Sequence, residues 1–208
     1  MIIISPAKNL NIVPEKPLLK LSEPFFSEDT NSLISKLKKL KFDKLKSLMN
    51  ISDSLTELNL QRLRDFNSND NVFKPAAFLF SGDTFNGLSV RSFSKEVLLL
   101  AQDRLRILSG LYGLLRPLDL IQPYRLEMGT KIESILGTSL HDFWKKKITS
   151  RLNDDLSKSK TKFLFNLSSQ EYFDSIDKKN LNAKIVNFDF KIFKDNKLRT
   201  PGMMIKKY

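Results

Sequence analysis

The sequence predicts a mixed α/β fold of the α+β class, with a central mixed sheet surrounded by helices. Short apolar runs of strand length, at Ile2–Ile4 and Phe163–Leu167, are separated by segments with helical spacing of apolar residues. Residues 182–200 alternate with period two around Asp195–Asn196, which is typical of a β-hairpin. No repeat or linker interrupts this order, so we predict a single domain over residues 1–208.

Helical spacing indicates four longer helices along the chain. They are predicted at residues 29–49, 51–66, 92–110 and 139–156. Between the second and third, the apolar run Ala76–Phe80 predicts a buried strand that ends in a sharp turn.

The net charge restricts the classes of partner. The 208 residues include 35 Lys and Arg against 23 Asp and Glu, a net charge of +12. Such a surplus favours a polyanion, most often nucleic acid, although a lysine-rich proteome also produces basic surfaces.

The absence of cysteine excludes disulfides, thiolate metal sites and cysteine nucleophiles, and fits a cytoplasmic location. With His141 as the single histidine, a histidine-based metal site is not expected, and we predict no metal and no cofactor. We expect no membrane association, because the N-terminal run is too short for a signal peptide and no stretch approaches ~20 apolar residues.

The segment 108–115, LSGLYGLL, fits a helix-hairpin-helix pattern. Gly110 would end the third predicted helix, and Gly113 would let the backbone approach a ligand before a second helix begins. The free N–H groups of that second helix would bind a DNA phosphate, although the same pattern also fits a plain packing turn. The predicted DNA-contacting residues are Arg104, Arg106, Gly110, Leu111, Tyr112, Gly113, Arg116, Lys145 and Lys146.

Four polar segments suggest a small-molecule site. They are Ser5–Lys8, Gly82–Phe85, Tyr124–Gly129 and Asn166–Tyr172, and three of them follow apolar strand-like runs. Ligand crevices form where such strands end, although each segment alone also fits a turn cap, an ion pair or a backbone hydrogen bond. The candidate catalytic residues are Lys8, Asp83, Glu127 and Glu171, and the candidate pocket residues are Ser5, Arg125, Asn166, Ser169, Lys206 and Lys207. If buried, Lys8 would serve as a base or nucleophile.

These motifs together resemble the YaaA family of peroxide stress proteins. The resemblance rests on ISPAK at 4–8, Gly-Asp followed by an aromatic residue at 82–85, the segment 108–129 and NLSSQEYF at 166–173. It extends over nearly the whole chain, and the central segment is the most specific part.

The resemblance implies a cytoplasmic bacterial protein induced by hydrogen peroxide, which limits unincorporated iron and thereby Fenton damage to DNA. It also implies a YaaA-like fold with a positively charged cleft and a helix-hairpin-helix element that binds DNA, including duplexes. Asn9 and Phe85 depart from the threonine and tyrosine usual in the family. The chain ends at Tyr208, where family members continue, so we expect the C-terminal part of the family domain to be absent.

Two functions of different classes follow. The first is DNA binding without catalysis, through the phosphate backbone and with weak sequence preference. The second is an enzyme that acts on a nucleobase or nucleotide, since carboxylates and amides are not needed for backbone binding. Direct iron binding by carboxylates ranks last, because an all-oxygen site is weak and unselective for iron.

Overall fold

The computed structural model describes residues 1–15, 19–68, 71–189, 191–194 and 197–199. The strands are β1 (Ile2–Ile4), β2 (Asn9–Leu10), β3 (Lys74–Pro75), β4 (Phe80–Ser81), β5 (Leu105–Ser109), β6 (Gly113–Leu115), β7 (Leu120–Ile121), β8 (Phe163–Asn166), β9 (Lys184–Asn187), β10 (Ile192–Lys194) and β11 (Lys197–Arg199). The helices are α1 (Ser27–Leu37), α2 (Phe42–Met49), α3 (Asp53–Asp65), α4 (Ala76–Leu79), α5 (Asp83–Leu88), α6 (Lys95–Arg104), α7 (Glu133–Leu136), α8 (Leu140–Lys158) and α9 (Gln170–Phe173).

A five-stranded mixed sheet in the order β6-β5-β1-β8-β9 forms the centre of the molecule, which confirms the predicted fold class. The strands β5, β1, β8 and β9 are parallel, and β6 runs antiparallel to β5 at one edge. From β1 the chain crosses to β5 on one side, and it later returns to β8 on the other side of β1. The direction of the connections therefore reverses next to β1, where crevices form in α/β sheets.

The long helix α8 packs against β6 through the fully buried Trp144. Its indole Nε1 donates a hydrogen bond to the carbonyl oxygen of Gly110 at 2.9 Å. The Trp144 ring also lies against Gly113, where an added Cβ would be 2.7 Å from it. Gly113 has a φ of +69°, so the turn depends on a residue that tolerates the left-handed region.

The predicted helix-hairpin-helix is wrong. The third predicted helix ends at Arg104 as α6, and the chain continues as β5, a turn and β6. Ser109 pairs with Gly113, so the segment is a β-hairpin. All five β5 residues are buried. A strand buried on both faces has an almost continuous run of apolar residues. Such a run also places apolar residues at helical spacing, so the sequence of β5 fits a continuation of the preceding helix.

Two other elements also differ from prediction. Most of the predicted strand Ala76–Phe80 is the short helix α4. An apolar run of five residues is too short to show whether its period is that of a strand or of a helix. The first predicted helix is two helices, α1 and α2, because Lys41 takes an extended conformation before α2. No glycine or proline marks that break.

The second and fourth predicted helices correspond to α3 and α8. The strand β9, predicted as part of the hairpin at 182–200, instead pairs parallel with β8 in the central sheet. Ser52 and Ser139 cap α3 and α8, each accepting a hydrogen bond from a backbone N–H of the first turn. The strands β1 and β8 lie where the apolar runs predicted them. The strands β10 and β11 pair antiparallel as the predicted hairpin, while Asp195 and Asn196 lie outside the described residues.

Replacing Gly110 by alanine tests the buried hairpin. An added Cβ would lie 2.3 Å from the Leu126 carbonyl oxygen, so we expect Gly110→Ala to cost about 3 kcal/mol and to lower Tm by about 6–12 °C. The matched control is Gly87→Ala, where an added Cβ meets nothing within 4 Å and should leave Tm unchanged or slightly higher. Equal thermal unfolding curves for the two variants would contradict the buried turn.

Candidate functional site

A small cavity of about 70 Å³ opens at the carboxyl edge of the sheet, beside the loops that follow β1 and β8. We call it the inner pocket. Its lining comprises Pro6, Ala7, Lys8, Tyr124, Arg125, Leu126, Glu127, Glu171 and Tyr172. Three of the four predicted polar segments therefore meet here, at the reversal of connections beside β1.

Glu127 lies between two cations of the inner pocket. Its Oε2 is 3.1 Å from Lys8 Nζ, and its Oε1 accepts a hydrogen bond from Arg125 Nη2 at 2.9 Å. The Lys8 side chain is 64% exposed, so the burial under which a lysine serves as a base or nucleophile is not found. Arg125 Nε is buried and has no hydrogen-bond partner among the described residues.

Glu171 is held by the segment opposite it. Its Oε1 accepts the N–H of Gly129 at 2.8 Å, and its carbonyl oxygen accepts a hydrogen bond from His141 Nε2 at 2.7 Å. The single histidine thus fixes the backbone of a candidate catalytic residue, a role that the sequence did not indicate. The two carboxylates of the inner pocket are therefore positioned from different segments of the chain.

Two tyrosines line the inner pocket that belong to the predicted polar segments but were not among the candidate site residues. The Tyr124 hydroxyl is 2.6 Å from Ser109 Oγ, and burial raises its pKa well above the usual range. Burial first, and then the charges of Glu171 and Glu127 among others, raise the pKa of Tyr172 in the same direction. Both phenols stay neutral at physiological pH, so these side chains contribute ring surface rather than charge.

The other predicted pocket residues mainly connect strand ends. Ser5 Oγ accepts the backbone N–H of Ser169 at 2.9 Å, and Asn166 donates to Asn187 on the neighbouring strand. Asp83 begins α5 and is not among the lining residues of the inner pocket. Lys206 and Lys207 lie outside the described residues.

A second cleft, of about 440 Å³, lies at the opposite, amino-terminal edge of the sheet. We call it the basic cleft. Its lining comprises Gln102, Asp103, Arg104, Arg106, Arg116, Arg151, Asp155, Lys158, Ser159 and Lys160. It brings together three of the arginines predicted to contact DNA with the C-terminal end of α8.

The charged side chains of the basic cleft differ in whether they are already paired within the protein. Arg106 and Asp155 are both buried, and Arg106 Nε donates to Asp155 Oδ2 at 2.7 Å. Arg104 donates to the carbonyl oxygen of Ser159 at 3.1 Å. Lys158 and Lys160 are exposed and form no ion pair with any residue in the described part of the chain. Arg106 is therefore structural, and the lysines are the groups available to a ligand.

The Phe25 ring contacts two arginines of the basic cleft. The guanidinium carbons of Arg116 and Arg151 lie 4.2 and 3.8 Å from the centre of its ring. Arg116 is also paired with Asp119, and Arg151 with Asp155. Neither the aromatic platform nor Arg151 was among the predicted site residues, because Phe25 is distant in sequence from both arginines.

The four hairpin residues predicted to grip DNA lie in the interior. Gly110, Leu111, Tyr112 and Gly113 are buried. The Tyr112 N–H donates to Ser109 Oγ at 2.9 Å, and the Gly110 carbonyl oxygen accepts the Trp144 indole. Groups that are buried and already hydrogen-bonded are not available to a phosphate, so this part of the predicted DNA contact is wrong. Lys145 and Lys146 lie on α8, where Lys145 is 3.6 Å from Asp142.

Comparison with known proteins identifies relatives over nearly the whole chain. The family model described as "Peroxide stress protein YaaA" matches residues 1–208. A UPF0246 protein of Flavobacterium johnsoniae is 43% identical over 208 residues, which cover 99% of this chain and 82% of that protein. A UPF0246 protein of Saccharophagus degradans is 45% identical over 210 residues, with 100% and 82% covered.

None of the helices among the described residues has the length and hydropathy that a membrane crossing requires. No group of three or more histidine, aspartate or glutamate side chains in the same residues is arranged to hold a metal ion.

Replacing Asp155 tests the structural role of Arg106. We expect Asp155→Asn to lower the free energy of unfolding by about 3–5 kcal/mol, because it leaves the buried Arg106 without its counter-charge. The neighbouring Asp154 is exposed, so Asp154→Asn should change it by less than about 0.5 kcal/mol. Urea denaturation measures both, and a similar midpoint for the two variants would argue against the buried ion pair.

Proposed function

This chain belongs to the peroxide stress protein YaaA family, and from that premise we propose that it acts in peroxide stress by binding DNA through the basic cleft. The family name supports the role in peroxide stress. The proposed DNA contacts still include Arg104, Arg116, Lys145 and Lys146. The C-terminal end of α8 takes the place of the β5–β6 hairpin as a contact surface.

The observation that carries the proposal is the charge of the basic cleft. Six arginine and lysine side chains and two aspartates line it, a surplus of four positive charges in one cavity. Along α8, the 13 residues from Lys146 to Lys158 span about 18 Å from the first Cα to the last, which matches several phosphates of a DNA strand. Such contacts hold the backbone and read no base sequence, so binding should be weakly specific.

The Phe25 platform supports the same proposal. Rings that lie under guanidinium groups restrict them, so Arg116 and Arg151 lose less freedom when a phosphate binds. Both arginines already contact aspartates, and Arg104 bonds to a backbone carbonyl. Lys158 and Lys160 are therefore the exposed cations of the basic cleft that have no partner among the described residues. The two lysines are therefore the best residues with which to test DNA binding.

Limiting iron-driven damage belongs to the proposal as its consequence. DNA carries a condensed layer of cations, and a protein that neutralises phosphates releases them. Protein bound along the backbone would displace ferrous ions from the place where Fenton chemistry breaks DNA. The proposal thus needs no iron ligand in the protein.

The inner pocket favours a second candidate function, an enzyme that acts on a nucleobase or nucleotide. Its two carboxylates, Glu127 and Glu171, are held in defined positions beside ring surfaces. Backbone binding to DNA requires neither carboxylate. This candidate concerns a separate surface, so the two functions are compatible in one molecule.

We expect the double variant Lys158→Gln/Lys160→Gln to bind duplex DNA about tenfold more weakly than the wild type. Because two phosphate contacts are lost, the slope of log affinity against log salt should decrease in magnitude by about two. Fluorescence anisotropy with a labelled duplex at several KCl concentrations measures both quantities. The control Lys39→Gln/Lys95→Gln removes two exposed lysines outside the basic cleft. Absence of wild-type binding at low salt, or equal slopes for both double variants, would refute the proposal.

Survival of hydrogen peroxide separates the two candidate functions. In a bacterium lacking its own family member, we expect the wild-type chain and Glu127→Gln to restore survival, and Lys158→Gln/Lys160→Gln to fail. Colony counts after a peroxide pulse, at matched protein levels, measure this. The reverse pattern would favour the enzyme over DNA binding.

A further inference from the structure

We propose that the carboxyl edge of the sheet binds a phosphorylated small molecule of nucleotide size, with its phosphate outside and a flat group bearing N–H donors in the inner pocket. The proposal rests on the second candidate function only for the location of the site, and it requires no catalysis. The chemistry of two adjoining cavities indicates this class of ligand.

The inner pocket suits a flat group with N–H donors. Tyr124 and Tyr172 line it with aromatic side chains, and the Tyr124 hydroxyl is already hydrogen-bonded to Ser109 Oγ. Glu127 and Glu171 contribute carboxylate oxygens, which only accept hydrogen bonds. Amide or amine N–H groups on an aromatic ring match this combination of apolar surface and acceptors.

An outer groove of about 620 Å³ adjoins the inner pocket, because Glu127 and Glu171 border both cavities. Beyond them, the polar side chains of the groove are donors or cations. They are Lys44, Ser47, Asn50, Thr130, Lys131 and Ser134.

The outer groove suits an anion. Lys44 and Lys131 are exposed and form no ion pair with any of the described residues. Of the two carboxylates at its border, Glu127 is paired with two cations, whereas Glu171 accepts the neutral Gly129 N–H. The ammonium groups of Lys44 and Lys131 and the hydroxyl groups of the groove are the groups that a phosphate would contact.

Arg125 adds positive charge behind the two carboxylates. Its Nε is buried without a hydrogen-bond partner in the described part of the chain. Arg62 and Arg125 border one further small cavity. Burial, and then the charge of Arg125, lowers the pKa of Arg62. The local surplus of positive charge favours an anionic ligand over a neutral one.

The site is separate from the basic cleft. The strand β5 begins at Leu105 beside the basic cleft and ends at Ser109, which touches Tyr124 of the inner pocket. Five residues of strand span about 16 Å. A duplex is too wide for the inner pocket, whereas a mononucleotide can place its base there and its phosphate in the outer groove.

Isothermal titration calorimetry on the full chain with AMP, GMP, CMP and UMP tests the proposal. We expect at least one of them to bind, and its nucleoside and inorganic phosphate to bind at least about tenfold more weakly. Lys131→Gln should weaken the monophosphate about tenfold without changing nucleoside affinity, and Glu171→Gln should weaken both. The control Lys95→Gln, an exposed lysine outside both cavities, should change neither.

Three outcomes would overturn the proposal: no binding of any of the four monophosphates, wild-type monophosphate affinity in Lys131→Gln or in Glu171→Gln, or loss of binding in Lys158→Gln/Lys160→Gln instead. The last would place the ligand in the basic cleft. Anisotropy with duplex DNA keeps the two proposals distinguishable, because Glu171→Gln should leave DNA affinity unchanged. Thermal unfolding of each variant shows that it is folded.

Discussion

The contact of Trp144 with the β5–β6 turn determines how the rest of the structure is arranged. The indole donates to the Gly110 carbonyl and fills the space that a side chain at Gly113 would need. It fastens α8 across the edge of the sheet, and the C-terminal end of that helix then supplies the lysines and Arg151 of the basic cleft. The same turn carries Ser109, which positions Tyr124 in the inner pocket.

The positions of polar residues after strands could be predicted from the sequence, because strand ends are marked by short-range signals. Residues of three such segments, Pro6–Lys8, Tyr124–Glu127 and Glu171–Tyr172, do meet in one pocket. The hairpin could not be predicted, since the glycines of a tight β-turn and of a turn between helices look the same in sequence. Only the buried partner Trp144, more than thirty residues away, distinguishes them.

Arginines show a second limit of sequence reasoning. Arg104, Arg106 and Arg116 were grouped by charge, yet the buried Asp155 neutralises Arg106 inside the protein. The arginine on α8 that replaces it at the surface, Arg151, pairs with the same aspartate and stacks on Phe25. Pairing between distant segments decides which cations reach solvent, and a count of charges along the chain contains no information on that pairing.

The strand β5 has the basic cleft at its N-terminal end and the inner pocket at its C-terminal end. This separation affects how the protein can change during evolution. Changes at sites separated by more than ~7–10 Å, with no shared partners, usually have additive effects. Relatives could therefore exchange side chains at one rim while the opposite rim stays intact. A common scaffold can in this way acquire new chemistry at one end without sacrificing the other.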